Sequence, residues 1–591
     1  MSDDEWDFEV DRQPRLPFPL EIKKEPLTLD EAWLKDFVGN MDSRARKAAD
    51  KAVTTFNALG IKVFNAGDKV GVTSTEADYG APAVGLHFFS KFINAQRAFR
   101  YEPTQFIDEE TRTHVPQART IGKAMGRAGY TVFKTRHMGD PTSLLHFANG
   151  GVTRAFSDVM DIAIREFETL DFMRKVFKKS QGGVILMPMP TYGLFVSRLE
   201  EMIADKNIRI AAVRRQDSGA VDFHSLHTQI KKCEERGEKI IAYYDSNPNN
   251  PTGYIRERAE TEKIGEMLKT ENWRQIYDDL AFLREHKEIL TQVVGRNKYN
   301  AICMNISDTP KGNLLIIDDM AYEGLQIKTS KKPFSFGQCH EDIAEMSLTL
   351  KGISKIGMPG MRIGMVIGHP IFISDLSSVQ FMKEFCANSL GVDIFAARYG
   401  AKQDRAVFRA HEKKLRDRHS RAVERLQVFF KGIDNVPALT DKHRGEIIRD
   451  YAAHAGIDGS AAEGILKKGM PNLNVNNGPE SGFFQCVDCE ALRDRRIAIQ
   501  TSELHQPFYA PIRNGNMLYW VFRAFDIKAI PGSYMGLAER SLIMRITYSL
   551  PEKDMLVMYD RLRGLHDHFW GPQPEVQLDL FRQPKLTAPT P

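Results

Sequence analysis

The stretch "YYDSNPNNPTGYIRER", Tyr243–Arg258, sets two prolines, three asparagines and a glycine behind a short apolar run that reads as a strand. Turn chemistry accounts for part of it: Pro251 fixes φ, and Gly253 lets the chain reverse. A turn this elaborate implies a demand made by other parts of the chain. Its surroundings point the same way. From residue 145 to about 370, short apolar runs alternate with amphipathic helical segments: "GGVILMPMP", "KIIAYYDS", "GNLLIIDDMAY", "EMSLTLKGIS" and "GMVIGHP". Near-continuous apolar strands between helices imply a mostly parallel sheet covered by helices on both faces.

The rest of the chain is organised around this region. The first 27 or so residues read as an extended arm, followed by a capping box, Thr28 with Glu31. The stretch to residue 145 holds helical pieces and a long irregular region, "FRYEPTQFIDEETRTHVPQARTIG". A long amphipathic helix is expected over about 405–432, then mixed strands and helices, then a proline-rich tail from about 571. The expected division is an N-terminal arm with part of a small domain (1–75), a large domain (76–405) and a C-terminal small α+β domain (406–591). No repeat period is evident.

Bulk properties narrow the function class. The chain has 591 residues, 42% of them hydrophobic, enough for a large core or several domains. Net charge is +4 and both signs are interleaved, as in "RAHEKKLRDRHSRAVER", so nothing argues for nucleic acid. No apolar run approaches the ~20 residues of a membrane span and the acidic start lacks a signal pattern. The expectation is a cytoplasmic protein with no membrane partner. Six cysteines make no disulfide framework, and the Cys486/Cys489 pair has no second pair to complete a zinc site, so no metal is expected.

Ligands of open α/β sheets gather at the carboxyl ends of strands. Two glycines open a helix in "NGGVTRAF", a possible anion cradle that also reads as a plain helix entry. Tyr192 follows "GVILMPMP"; Asp318, Asp319 and Tyr322 follow "GNLLII"; a lysine, three glycines and an arginine follow "EMSLTLKGI" in "SKIGMPGMRIG". Each has a bland reading. Together they are the parts that an aldehyde cofactor with a phosphate, a pyridine ring and a phenolic oxygen requires.

These segments resemble the class I/II aminotransferases, the fold-type-I pyridoxal-phosphate enzymes, over about residues 145–370, with a weaker echo at 478–570. "NPNNPTG" is similar to the family's turn, and "SKIGMPGMRIG" is similar to its lysine signature, its short spacing being most like valine–pyruvate aminotransferases. Tyr322 and Lys355 stand 33 positions apart, as is typical of the family, and the D-x-x-Y spacing selects Asp319 over Asp318.

The resemblance implies an α/β fold of that type with pyridoxal 5'-phosphate as cofactor. Lys355 would be the Schiff-base lysine and proton shuttle. Asp319 would pair with the pyridine nitrogen. Tyr322 and Asn250 would bond the phenolic oxygen. Gly151, Val152 and Thr153 would cradle the phosphate with Ser354 and Arg362, and Tyr192 would stack on the ring. Arg545, in "RITYSLP", would clamp the substrate carboxylate, with Asn250 beside it. The implied activity is amino transfer between an L-amino acid and a 2-oxo acid in a homodimer or higher assembly. A lyase or decarboxylase on the same fold is the alternative, and a cofactor-binding regulator a remote one.

The departures are also visible. Gly352 stands where the family often has a phosphate-binding serine or threonine. The interval from Asn250 to Asp319 is longer than usual, with an inserted helical piece expected at about 262–305, and another excess lies at about 438–477. Tyr79 echoes a tyrosine that reaches a neighbouring subunit's phosphate in many members. Arg523, His505 and Arg100 are candidate pocket cations that also read as surface or structural residues.

Overall fold

The computed structural model describes residues 115–571 apart from 135–140, 308–313, 328–329, 357–358, 385–386, 401, 438, 476–477 and 500–507. Thr28, Glu31, Tyr79, Arg100 and His505 lie outside the described residues, as does the tail beyond residue 571.

Seven strands form the main sheet: β1 (Leu145–Asn149), β2 (Gly183–Met189), β3 (Ile208–Arg214), β4 (Lys239–Ser246), β5 (Leu315–Asp319), β6 (Ser347–Gly352) and β7 (Ile363–Ile367). Their order is β1-β7-β6-β5-β4-β2-β3. All neighbours pair in parallel except β7, which runs antiparallel to both β1 and β6. The apolar runs are continuous because both faces are covered. Along β2, Ile185 and Met187 join one buried cluster, with Phe156, Val159 and Leu199, while Val184 and Leu186 join another, with Leu226, Ile264 and Leu268. Edge strand β3 escaped the sequence reading because half-buried and exposed positions, two of them arginines, interrupt its apolar run.

Residues 262–305 are helical, in Arg258–Glu285, Lys287–Val294 and Arg296–Ser307, and residues 438–477 contain the helices Asp441–Ala455 and Gly459–Lys468. The first of these is tied to the sheet by a buried ionic group in which Asp279 accepts from Arg174 Nη2 (2.6 Å) and pairs with Lys239. The expected irregular stretch up to residue 122 is corrected in part: Val115–Ala128 is a helix. Pro116 is tolerated in its first turn, and Ala118, Ile121 and Met125 recur at helical spacing on a buried face.

The C-terminal region has its own core. Strands β8 (Phe484–Asp488), β11 (Ile530–Pro531) and β12 (Ile543–Thr547) form an antiparallel sheet in the order β11-β12-β8, and β9 (Arg496–Ile499) pairs with β10 (Phe508–Pro511). Its helices include the C-terminal part of the long helix Lys402–Lys431. Among the described residues no helix is long and apolar enough to cross a membrane.

The turn after β4 is built by its asparagines, each with a separate task. Asn247 clamps the backbone of Arg256, accepting from its N–H (2.9 Å) and donating to its carbonyl (2.9 Å). Asn249 closes the reversal, its Oδ1 accepting from the Thr252 N–H (3.1 Å) and hydroxyl (2.7 Å). Gly253, at φ +71°, passes so close to Pro479 and the Ser481 carbonyl that a Cβ would come within 2.6 Å of each. Arg256 then turns back under the sheet. It is 2% exposed, pairs with Asp245, and donates to Asp318 Oδ1 at 2.7 Å. Removing one partner of a buried pair strands the others, at about 3–5 kcal/mol. Arg256→Ala is therefore expected to lower the stability of the protein by about that amount. A shift in the denaturant midpoint checks it, and a shift no larger than that of a surface arginine variant would refute it.

Candidate active site

The ends of β1, β2, β4, β5 and β6 and the C-terminal strand β12 bring the predicted residues together. At the end of β1, Gly150 (φ +88°) and Gly151 (φ +78°) lead into the helix Val152–Val176, with Gly151 as its N-cap. No acidic residue stands in its first turn, so the helix itself sets no negative charge against the N–H groups of its start. Arg362, itself at φ +45°, lies over the glycine pair. Its Nη2 donates to the Gly150 carbonyl at 2.8 Å, and the Gly150 N–H donates to the Arg362 carbonyl at 2.6 Å. A Cβ at Gly352 would lie 2.9 Å from Val152 Cγ2. Val152 thus occupies the space that a serine or threonine at 352 would need.

Lys355 sits in the short 3-10 turn Ser354–Ile356 just after β6. Its Nζ is 5.4 Å from the Tyr322 ring centroid. Burial lowers its pKa to about 8, with the Arg545 and Arg362 charges adding to the shift and Asp319 opposing it. The nearby Lys351 is a different kind of lysine: it is 1% exposed and paired with Glu323.

Asp319 ends β5. Burial pushes its carboxyl up to about 6, aided by the Asp318 charge, while hydrogen bonds to its charged form and the Lys355 charge hold it down. Those bonds come from the Ala321 N–H to Oδ1 (2.9 Å) and the Tyr244 hydroxyl to Oδ2 (3.1 Å). Asp318 points the other way and accepts from Arg256, the Ser335 hydroxyl (2.5 Å) and the Phe336 N–H (3.0 Å).

Asn250 links two further candidates. Its Nδ2 donates to the Tyr322 hydroxyl at 3.2 Å, and its Oδ1 accepts from Arg545 Nη1 at 3.1 Å. Arg545 is 7% exposed and lies 4.0 Å from the centroid of the Phe484 ring. Burial lowers its pKa, and its electrostatic neighbours are Tyr322, Tyr192, Cys486 and Tyr534. Among the described residues no carboxylate forms an ion pair with it. Tyr192, half-buried at the start of the helix Gly193–Ile203, packs edge-on against Phe195 at 5.0 Å and feels the charges of Arg545, Asp319 and Arg362.

Sequence reasoning missed Tyr244, Phe484 and Tyr534. Tyr244 lay inside the opening stretch; strand alternation puts it on the face opposite Tyr243, and the pairing of Ser246 with Asp319 brings β4 alongside that carboxylate. Tyr534 arrives through the "PGSYMG" turn, whose Met535 carbonyl accepts from the Thr191 N–H at 3.0 Å. Arg523 lies in the last turn of the helix Gly515–Ala524, and among the described residues no hydrogen bond or ion pair ties it to this cluster. Cys486 and Cys489 are free thiols; Cys486 faces Arg545 across the β8–β12 pair.

Lys355 offers a direct check of this electrostatic setting. Its folded-state pKa of about 8 lies below the ordinary 10.5, so between those values the unfolded chain holds a proton that the folded one has released. Stability from this group is present above 10.5 and is lost as pH falls through 8, so it rises with pH across that window. Lys355→Met is expected to flatten the rise in the cofactor-free protein, as read from unfolding midpoints of the two proteins across the window. Parallel profiles would mean that the ammonium is solvated like that of a free lysine.

Comparison with known proteins agrees with this architecture. Residues 168–280 match the model of the family described as aminotransferase class I and II. That span holds Tyr192 and Asn250 and ends before Asp319, Lys355 and Arg545. No curated protein matches the chain. A double mutant of the Thermus thermophilus aspartate aminotransferase is 13% identical over 90% of this chain and 98% of that one, with a TM-score of 0.51. A Rhodobacter sphaeroides aspartate aminotransferase is 14% identical over 84% of this chain and 91% of that one (TM-score 0.50). The multiple substrate aminotransferase of Thermococcus profundus is 15% identical over 84% and 90% (TM-score 0.50). At such identities the likeness is one of fold, and the fold of this chain is that of the fold-type-I aminotransferases.

Proposed function

We propose that the chain is a pyridoxal-phosphate-dependent aminotransferase, moving an amino group between an L-amino acid and a 2-oxo acid. The observation that carries this reading is Arg545: a buried guanidinium with no carboxylate partner among the described residues, within electrostatic reach of a lysine whose neutral form is favoured. Burying a cation without a counter-ion is costly unless an anion arrives. The family match over residues 168–280 and the fold support the same reading.

The residues fit the cofactor. Pyridoxal phosphate, when bound, supplies an aldehyde that takes up an amine and a ring that withdraws electrons from a bond at the substrate's α-carbon. The chain supplies the rest. The N–H groups of Gly151, Val152 and Thr153 at the helix start, with Arg362 and Ser354, hold the phosphate. With Gly352 shielded by Val152, this task falls more heavily on the arginine and the helix start. Asp319, ionised above about pH 6, keeps the pyridine nitrogen protonated. The Asn250 amide and Tyr322 hydroxyl, already converging at 3.2 Å, bind the phenolic oxygen. Tyr192 covers the ring face. Lys355 Nζ, with a pKa of about 8, is neutral in a useful fraction of molecules near neutral pH and moves the proton at the substrate's α-carbon. Arg545 holds the substrate carboxylate through a bidentate guanidinium contact. The likeness of the lysine motif to valine–pyruvate aminotransferases makes uncharged aliphatic amino acids the first donors to try.

The test is a panel of amino acids incubated with the protein and pyridoxal phosphate, with and without a 2-oxo acid acceptor. Amino transfer is expected only with the acceptor, and borohydride is expected to fix the cofactor on Lys355, with neither result in Lys355→Ala. Sustained release of ammonia or CO₂ without acceptor would replace the transaminase by a lyase or decarboxylase, and failure of borohydride to label Lys355 would remove the cofactor reading. Arg545→Ala is expected to lower kcat/KM by about 100-fold, mainly through KM, as loss of charged hydrogen bonds predicts. Cofactor affinity should barely change. Equal loss of both would make Arg545 a structural residue.

A further inference from the structure

We propose that Tyr244 is a positioning residue for Asp319: its hydroxyl holds the carboxylate in its ionised form so that the carboxylate can keep a pyridine nitrogen protonated. This rests on the cofactor reading above. The family resemblance assigns nothing to Tyr244, and the argument comes from its surroundings.

Tyr244 is completely buried in β4. Its ring packs edge-on against both Phe156 (5.1 Å) and Phe195 (5.5 Å), which stack on each other at 4.0 Å. That packing fixes the ring and aims the hydroxyl at Asp319 Oδ2, 3.1 Å away. The other carboxylate near it, Asp245, is engaged by Arg215 and Arg256. The Thr191 hydroxyl is a buried neighbour of the Tyr244 hydroxyl. The groups facing Asp319 are Asp318 from its own strand, Lys355 from the turn after β6, Tyr244 from β4, and Tyr322 and Tyr192 at the mouth. Of these, Asp318 opposes ionisation of Asp319, and only Tyr244 and Lys355 favour it along with the Ala321 N–H. Lys355 is committed to chemistry with amines in the cofactor reading. That leaves Tyr244 as the side chain whose sole task is to favour the charge on Asp319.

Tyr244→Phe deletes one oxygen and keeps the ring packing. The experiment measures the affinity of the cofactor-free protein for pyridoxal phosphate and for its 1-deaza analogue, in which CH replaces the ring nitrogen, across about pH 5 to 8. The ratio of the two affinities isolates the contact between the ring nitrogen and Asp319 from the phosphate and lysine contacts that both ligands share. In the wild type the preference for pyridoxal phosphate is expected to fall as Asp319 protonates. In Tyr244→Phe the midpoint of that fall should move up by about one pH unit, the size expected for one hydrogen bond to a carboxylate. Overlapping ratio profiles, or an equal loss of affinity for both ligands at every pH, would overturn the proposal. A wild-type protein that binds pyridoxal phosphate with no preference over the analogue at any pH would overturn it through Asp319. A wild-type protein that binds neither ligand would instead bring down the cofactor reading on which it rests.

Discussion

Two adjacent carboxylates at the end of β5 set the terms for everything around them. Strand alternation sends Asp318 and Asp319 to opposite faces of the sheet, and both are almost wholly buried. An ionised carboxylate in such a place is costly unless it is paired or hydrogen-bonded. The chain treats the two differently. Asp318 receives a guanidinium, a hydroxyl and a backbone N–H, and is spent on structure. Asp319 receives hydrogen bonds and, among the described residues, no ion pair, and is left with its charge poorly compensated. A second cation brought as close to Asp319 as Arg256 is to Asp318 would stabilise the fold and remove the acid from use.

The same division runs through the arginines. Arg215 and Arg256 share Asp245, and Arg398 pairs with Glu412, so these buried guanidinium groups are neutralised in place. Arg545 is equally buried but, among the described residues, has an amide oxygen and the face of Phe484 in place of a carboxylate. The ring and the amide soften the cost of burial without cancelling the charge. Lys351 and Lys355 repeat the pattern four residues apart. Burial lowers the pKa of both, but one is locked to Glu323 and the other has no ion pair among the described residues.

Much of this was legible in the sequence, for definite reasons. β2, β4, β5, β6 and β7 were visible because burial on both faces leaves continuous apolar runs. The candidate site residues were visible because each stands at or shortly after the end of such a run: Asn250 after β4, Asp319 at the end of β5, Lys355 after β6. What stayed hidden depends on distant segments meeting. Arg256 reads as one charged residue in "YIRER" until the turn folds it beneath β5. Phe484 and Tyr534 belong to strands and turns whose apposition to Arg545 and Tyr192 no local pattern encodes. The helix Val115–Ala128 was obscured by the polar, proline-bearing context of its first turn, although its buried face follows the usual spacing.

The joint between the two cores explains why so many of the hidden contacts fall on one side. A Cβ on Gly193 would lie 2.0 Å from the Tyr534 carbonyl oxygen, and one on Gly536 would lie 2.2 Å from Met189 Sδ. The turn that leads to β12 is therefore seated directly on the chain at the end of β2, the Tyr534 backbone against Gly193 and Gly536 against the Met189 side chain. Backbone seated on backbone has little freedom to slide, because a small shift replaces van der Waals contact by overlap. The seat fixes Tyr534 beside Tyr192, and β12, which follows a few residues later, is delivered with Arg545 opposite Asn250. A guanidinium that must stay unpaired cannot be held in place by an acid. Here its position comes from the glycine contacts at one end of the turn and from the Asn250 amide at the other, which leaves its charge available.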